Sequence, residues 1–318
     1  MLNVASTATL TLNELTIANG NSSYGGGALN DGALVVTNST FSGNTAAGPN
    51  QCERDASGFG YGGGVFDNAS MIVTNSTFSG NSSAKAGGGI YYTGRTLTVT
   101  NSTFSGNSSP GIYGGGGIYS YNDGGTVTIV NSTFSGNSAG SGLGGGIYNL
   151  GPATLENTIV VNSTSGGDCA NNGNPITDGG YNLDDDGSCG FSPANNSFSD
   201  NPNANLGSLG SNGGPTQTFA LLYPSVAIDP IPLLANGCGS VIFTDQRGVL
   251  RPQGSACDIG AYEANQFPVA FNTSPAGLAY AVSTTNYTAA AAPFLVVGGV
   301  YPISTTATRH QFLEPSTS

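Results

Sequence analysis

The chain has 318 residues, of which 51 are glycine and only 8% are charged, and its formal net charge is -12. This composition differs from that of an ordinary globular enzyme and is typical of a repeat array. The negative charge argues against nucleic-acid partners, because it would repel phosphate backbones. No apolar run of about 18 residues occurs, so no membrane span is predicted.

One phrase, Asn-Ser-Thr-Phe-Ser-Gly-Asn, is repeated along the first half of the chain. Each copy is followed by a glycine-rich stretch that ends in an apolar residue. The phenylalanines are separated by steps of 37, 26 and 30 residues, a period that belongs to a solenoid. The four copies begin at Asn38, Asn75, Asn101 and Asn131.

A short segment with alternating apolar residues precedes each copy, as in residues 34–37 and 97–100. Alternation places every second side chain on one face of a strand, and the concentration of β-branched residues disfavours helices. Coils of about 26 residues, each with three short strands and three turns, would stack about 4.8 Å apart. The repeats therefore predict a parallel β-helix over residues 1–165.

Stacking predicts two columns of side chains from the phrase itself. We expect its phenylalanines to stack along the axis and its first asparagines to form a hydrogen-bonded ladder. Each Asn-Ser-Thr also matches the glycosylation sequon, but turn and ladder chemistry explains its recurrence better. The ladder asparagines would be Asn38, Asn75, Asn101 and Asn131.

Five cysteines indicate an oxidised, exported protein, because four of them lie in turn-rich sequence. Four cysteines allow three pairings, and we favour Cys169 with Cys189 and Cys238 with Cys257. Cys52 lies in an insertion at residues 46–61, a candidate contact loop, and its role is not predicted. Residues 2–12 form a strand pattern and not a signal peptide, so we interpret the chain as part of a longer exported protein.

The phrase disappears after residue 165, and three domains are predicted: residues 1–165, 166–263 and 264–318. The second contains irregular outer coils and a cap, because a solenoid needs a unit that covers its last apolar layer. Residues 245–263 fit that cap, with charged residues that we expect to form structural ion pairs. The third domain is interpreted as a linker and an incomplete β-sandwich-like module.

Parts of the sequence resemble known families. Phe-Ser-Gly-Asn alternating with Gly-Gly-Gly-Ile resembles the repeat of polymorphic outer-membrane proteins, and residues 179–184, 212–218 and 245–263 resemble the choice-of-anchor Q domain. The resemblance covers roughly residues 10–263. It implies a bacterial, exported, right-handed β-helix at the cell surface, with no defined catalytic residues. Residues 273–278 further resemble a small β-sandwich module of such surface proteins.

A mostly aromatic column follows the glycine runs and is the main candidate binding site. Neighbouring residues of a strand face opposite ways, so an inward aliphatic column at Val65, Ile90, Ile118 and Ile147 would leave the next residues outside. There they could stack on sugar rings or on a partner protein. With the opposite orientation they would be core, which is the commoner arrangement. The candidate binding residues are Phe66, Tyr91, Tyr119 and Tyr148.

A half-motif for calcium lies in the predicted cap. Asn182, Asp184 and Asp186, followed by Gly187, match the opening of a calcium loop, but Pro193 stands where its final glutamate would be. A structural calcium ion is one interpretation and a solvated acidic turn is the other. No other cofactor is expected.

The alternative function is a secreted carbohydrate-active enzyme, either a polysaccharide lyase or a glycosidase. Such enzymes need a base beside acidic groups, or two carboxylates about 5 to 10 Å apart. His310, the only histidine, lies in the tail, so no Ser-His-Asp triad is expected within the solenoid. A catalytic groove would have to bring together Asp67, Lys85, Arg95 and Asp123.

The sequence therefore predicts an all-β protein: a right-handed parallel β-helix with a C-terminal cap and a partial β-sandwich module. We expect a non-catalytic, adhesin-like bacterial stalk, extracellular or on the cell surface. It would present a face for glycans or for a surface protein. The ligand and the oligomeric state are not predicted.

Overall fold

The computed structural model describes residues 1–47, 59–121, 124–140, 143–271, 279–288, 290–297 and 299–305. The chain divides into two compact units, Met1–Ala264 and Asn265–Ser318. Four features singled out in the sequence lie outside the described residues: Cys52, Asp123, residues 273–278 and His310.

Four parallel sheets form the wall of the first unit, and successive coils add strands to each sheet in turn, which confirms the predicted parallel β-helix. Sheet A contains Leu2–Val4, Ala28–Asn30, Val65–Asp67, Ile90–Tyr92, Ile118–Ser120, Ile147–Asn149 and Cys169–Asn171. Sheet B contains Thr9–Asn13, Ala33–Thr37, Ser70–Thr74, Thr96–Thr100, Thr126–Val130, Ala153–Glu156 and Thr177–Asp178.

The remaining two sheets complete each coil. Sheet C contains Thr16–Ala18, Thr40–Ser42, Thr77–Ser79, Thr103–Ser105, Thr133–Ser135, Ile159–Val161 and Leu183–Asp184. Sheet D, with two residues per strand, contains Asn21–Ser22, Thr45–Ala46, Ser82–Ser83, Ser108–Ser109 and Ser138–Ala139. A coil thus has a short fourth strand beyond the three expected.

Alternate side chains of these strands fill a continuous apolar interior. The phenylalanines of the phrase are fully buried and stack in parallel, with ring centroids 4.9, 4.9 and 4.5 Å apart. Each such ring stabilises the fold by about 1.5–3 kcal/mol relative to an exposed ring. The predicted aromatic column is therefore confirmed for Phe41, Phe78, Phe104 and Phe134.

The asparagine ladder also exists, but the prediction of which asparagines form it is wrong. The second asparagine of each phrase forms it, with amide-to-carbonyl distances of 2.9, 2.9 and 3.0 Å between successive coils. At this corner a glycine takes the left-handed conformation, as Gly80 does at φ 61°, which lets the next side chain point inward. The ladder consists of Asn44, Asn81, Asn107 and Asn137.

The first asparagine of each phrase forms the corner between sheets B and C, where it takes the left-handed backbone conformation itself. Asparagine tolerates positive φ better than most residues. Its side chain consequently lies outside the ladder. The corner residues Asn38, Asn75, Asn101 and Asn131 have φ of 48°, 51°, 46° and 48°.

Residues 212–264, here called the lateral segment, run along the outer side of sheet C. Gln246 joins three parts of the chain, since its Nε2 donates to the hydroxyls of Thr77 and Thr216 and its Oε1 accepts from Thr103. The amide of Ala261 donates to the hydroxyl of Thr133 at 3.0 Å. This segment holds the block at residues 245–263, so that block covers the side of the solenoid and its threonine hydroxyls.

The end of the solenoid is closed by other residues, among which Cys189 and Phe191 pack into the interior cluster. Both favoured disulfides are present: Cys169 bonds Cys189, and Cys238 bonds Cys257. Two antiparallel strand pairs and two short 3-10 helices also lie between the last coil and the end of the lateral segment. They are Leu206–Gly210 with Thr218–Leu221, Ile231–Pro232 with Ala256–Cys257, Pro193–Asn195 and Ala235–Gly237.

The second unit contains only antiparallel strands among its described residues. Gln266–Pro268 pairs with Phe294–Val296, and Tyr280–Val282 pairs with both Thr285–Tyr287 and Ile303–Thr305. Within the described ranges of the whole chain, none of the helices has the length and apolarity that crossing a membrane requires.

Candidate ligand-binding surface

The aromatic column lies on the outer side of sheet A. Ile90 points into the interior and is fully buried, and its neighbour Tyr91 points outward, as strand alternation requires. The outer rings stack with centroids 5.1, 5.0 and 5.1 Å apart and interplanar angles of 17°, 6° and 2°. This ladder consists of Phe66, Tyr91, Tyr119 and Tyr148.

Stacking limits what the ladder itself can contact. Rings about 5 Å apart occupy one another's faces, so no sugar ring can enter between them. Tyr119 and Tyr148 are 4% and 8% exposed and pack with Ala86, Leu143 and other residues in an outer cluster. The ladder is thus neither free surface nor interior core, and Tyr91 keeps more exposed surface than Tyr119 and Tyr148 do.

Three further tyrosines lie beside Tyr91 and Tyr119 and complete a pocket of about 320 Å³. Tyr61 lies 4.7 Å from Tyr91 between ring centroids, and Tyr113 packs edge-on against Tyr119 at 6.5 Å. Tyr113 and Tyr121 are 41% and 45% exposed, so they offer accessible aromatic surface. The pocket is lined by Tyr61, Tyr91, Tyr113, Tyr119 and Tyr121.

Tyr61, Tyr113 and Tyr121 were not predicted from the sequence as binding residues. A signal was present, since Tyr61 and Tyr113 each stand directly before a glycine run. Glycine there permits a tight left-handed turn: Gly62 has φ 69°, and a Cβ on it would lie 2.4 Å from the carbonyl oxygen of Val65, three residues later. Tyr121 follows the strand Ile118–Ser120 directly, in a connection whose length differs from coil to coil.

The pocket is rich in neutral hydroxyl groups. Burial, followed by the neighbouring phenols, raises the pKa of Tyr61 and of Tyr91 above the ordinary value, so both stay protonated near neutral pH. A protonated phenol can both donate and accept a hydrogen bond. The ammonium nitrogen of Lys85 lies 5.5 Å from the ring centroid of Tyr61 and is the nearby positive charge.

The three residues of the calcium half-motif are each held by protein donors. The side-chain Oδ1 of Asn182 accepts from the backbone amide of Thr158. The Asp184 carboxylate accepts from the backbone amides of Cys189 and Asp200. The Asp186 carboxylate accepts from the amides of Asp168 and Ser188. In the part of the chain that the structure describes, no group of three or more acidic, cysteine or histidine side chains is placed to hold a metal. Calcium binding stays a prediction.

The described candidates for a catalytic groove occupy three separate places. Asp67 is fully buried inside sheet A, where burial raises its pKa to about 7. Lys85 lies over the Tyr61 ring, and exposed Arg95 borders a different pocket, of about 270 Å³, together with Asp31. Asp67, Lys85 and Arg95 therefore do not converge in one catalytic groove.

Comparison with known proteins agrees with this architecture. Residues 2–165, just over half of the chain, match a family model described as a right-handed beta helix region. No curated protein and no solved structure matches the chain. The chain belongs to the right-handed β-helix family.

Proposed function

We propose that this protein is a non-catalytic β-helical ectodomain that binds glycans through the tyrosine pocket on sheet A. The observation that carries the proposal is the convergence of five tyrosines on one pocket of about 320 Å³. Aromatic faces pack against the C–H face of a sugar ring, and phenol hydroxyls match sugar hydroxyls as donors and acceptors. The same side chains on a rigid scaffold lose little conformational freedom on binding.

A bacterial cell-surface or secreted location is part of this proposal. The two disulfides support an oxidising compartment, because such bonds are rare in the cytosol. The resemblance to polymorphic outer-membrane proteins and to choice-of-anchor Q domains supports the same location. Under this proposal the β-helix holds the pocket away from the anchor and within reach of ligands.

We infer a non-catalytic protein because the carboxyl groups whose pKa values lie near neutral pH are enclosed in the fold. Asp67 and Asp168, whose pKa values are raised first of all by burial, are both fully buried. A general acid or base must come within hydrogen-bond reach of its substrate. These carboxyls serve the fold instead: that of Asp67 accepts from Asn30 and Ala69, and that of Asp168 accepts from Ser163 and Asp185.

A glycan array followed by calorimetry on the strongest hits tests the proposal. Tyr113→Ala and Tyr121→Ala should each weaken binding at least tenfold, because each removes exposed ring surface from the pocket. Ile112→Ala is the matched control, since Ile112 is 74% exposed, precedes Tyr113 and does not line the pocket. Equal binding by all three variants would refute the assignment, and release of new reducing ends or unsaturated sugars would favour the enzyme.

A further inference from the structure

A second cleft, separate from the tyrosine pocket, lies beside the last coils of the solenoid. Its volume is about 690 Å³, within the usual range for small-ligand sites. Tyr181 and Phe198 contribute aromatic surface, and Pro230 and Pro232 contribute apolar surface from the lateral segment.

Tyr181 occupies a position that asparagine holds in five preceding coils. The amide of Asn157 donates to the carbonyl of Gly180, and the amide of Tyr181 donates to the carbonyl of Asn195, so the corner register continues through Tyr181. Asn157 has φ 51°, and Tyr181 has the same value. For a bulky side chain this left-handed conformation is a genuine outlier, whereas asparagine adopts it readily.

The exchange of asparagine for tyrosine changes what the corner contacts. In earlier coils the corner amide binds the lateral segment: the side chain of Asn101 donates to the carbonyl of Thr244, and that of Asn157 donates to the carbonyl of Asn236. At the next corner the tyrosine borders the open cleft instead. Residues held in strained conformations cluster at binding sites, which makes this outlier a pointer to function.

The polar groups of the cleft are neutral amides and hydroxyls. Asn196, Ser199 and Asn201 border it, and no charged side chain is among the residues that line it. The Oδ1 of Asn201 accepts from the Asn203 amide, so its Nδ2 is the part of this side chain that can donate to a ligand. Asn196 is exposed at the border of the cleft. Amide donors and acceptors beside aromatic rings match the hydroxyl groups and C–H faces of a sugar.

We propose that this cleft is a second binding site, for a neutral sugar unit, and that Tyr181 is its stacking platform. A neutral ligand fits the uncharged walls, and an acidic glycan would meet a chain of net charge -12. The site uses none of the tyrosines of the pocket on sheet A and does not depend on glycan binding there.

Tyr181→Asn provides the sharpest test, because it restores the residue of the earlier corners. The probes are the methyl glycosides of glucose, galactose, mannose and N-acetylglucosamine, measured on the whole chain by saturation-transfer NMR and titration calorimetry. At least one glycoside should bind, and Tyr181→Asn should weaken that binding at least tenfold without lowering the melting temperature. Val241→Ala is the control, because Val241 is 76% exposed in the lateral segment and lines neither pocket, and it should leave the binding unchanged.

Asn201→Asp gives a second test that does not touch the corner. It keeps the oxygen that accepts from the Asn203 amide but removes the Nδ2 donor, and it should also weaken binding at least tenfold. The proposal is overturned if none of the four glycosides binds, or if binding survives both Tyr181→Asn and Asn201→Asp. Binding of a proline-rich peptide at this cleft in place of every glycoside would overturn it as well.

Discussion

Asp67 and Tyr92 are register partners on adjacent strands of sheet A, and both side chains are fully buried inside the solenoid. The Oδ1 of Asp67 accepts from the Nδ2 of Asn30 at 2.6 Å, while its Oδ2 has no partner among the described residues. A carboxyl group thus lies within an otherwise mostly apolar interior. This arrangement makes stability depend on pH.

Burial raises the pKa of Asp67 from 3.8 to about 7, although its hydrogen bonds from Asn30 and Ala69 oppose the shift. The folded protein therefore binds this proton more tightly than the unfolded chain does. The stability due to the raised pKa is fully present below about pH 4 and is lost as pH rises to about 7. The shift sets an upper bound of roughly 4 kcal/mol on the loss.

Asp67→Asn should remove this contribution, because an amide does not ionise. Relative to the wild type, the variant should gain stability as pH rises from 5 to 8, measured by urea unfolding at both values. Glu14→Gln is the control, because Glu14 is exposed in the first coil and is not among the charges that act on Asp67, and it should leave the difference between the two pH values unchanged. A difference between variant and wild type that is the same at both pH values would contradict the argument.

The two asparagines of the phrase should differ sharply in their contribution to stability. Asn107→Ala removes bonds to Asn137 and Phe78 and takes away the oxygen that accepts from the backbone amide and the Nδ2 of Asn81, so it should cost about 2–5 kcal/mol. Asn75→Gly preserves the left-handed corner and should cost less than about 1 kcal/mol. Thermal and urea unfolding of both variants provide the measurement. Equal losses would show that the corner side chain matters as much as the ladder.

Gln246 should control the attachment of the lateral segment. Gln246→Ala removes its hydrogen bonds to Thr77, Thr103 and Thr216, and the segment should become accessible to protease while the coils stay resistant. Limited proteolysis with mass spectrometry locates the cuts. Gln253→Ala is the control, because the side chain of Gln253 donates to the carbonyl of Leu250, three residues earlier in the same segment. Similar digestion of the two variants would argue against a clamp at Gln246.

The buried ion pair of the lateral segment should be costly to break on one side. Arg251 Nη1 lies 2.9 Å from Glu263 Oε2, and both side chains are almost wholly inaccessible. Arg251→Ala leaves the Glu263 charge buried without its counter-ion and should destabilise the fold by about 3–5 kcal/mol. Pairing Arg251→Met with Glu263→Gln should recover part of that loss, since no buried charge stays unpaired. Thermal melting of the single and double variants checks this, and a double variant no better than Arg251→Ala would contradict it.

Repetition made much of the interior predictable from the sequence. Because Phe41 and its equivalents recur at one coil position, their stacking follows from spacing alone. The same spacing could not decide between Asn75 and Asn81, which recur with one period, because only the left-handed glycine before Asn81 turns that side chain inward. Corner geometry, and not periodicity, selects the ladder.

The two clefts were beyond the reach of such reasoning. Tyr113 and Tyr121 belong to connections of unequal length, so their positions do not follow the repeat. The lateral segment depends on contacts such as that between Gln246 and Thr77, which are 169 residues apart. Complementary hydrogen-bonding groups determine these contacts, and no local sequence pattern predicts them. Tyr181 could be recognised as unusual only once the corner register was known.

The attachments of the lateral segment limit where a coil can be added to the solenoid. It bonds Thr77, Thr103 and Thr133 on three successive coils, so an extra coil among them would displace one attachment by about one strand spacing of 4.8 Å. The lateral segment thus opposes insertion of a coil between Thr77 and Thr133. It does not oppose insertion of a coil before Asn75. A coil added before Asn75 would leave these three attachments in register.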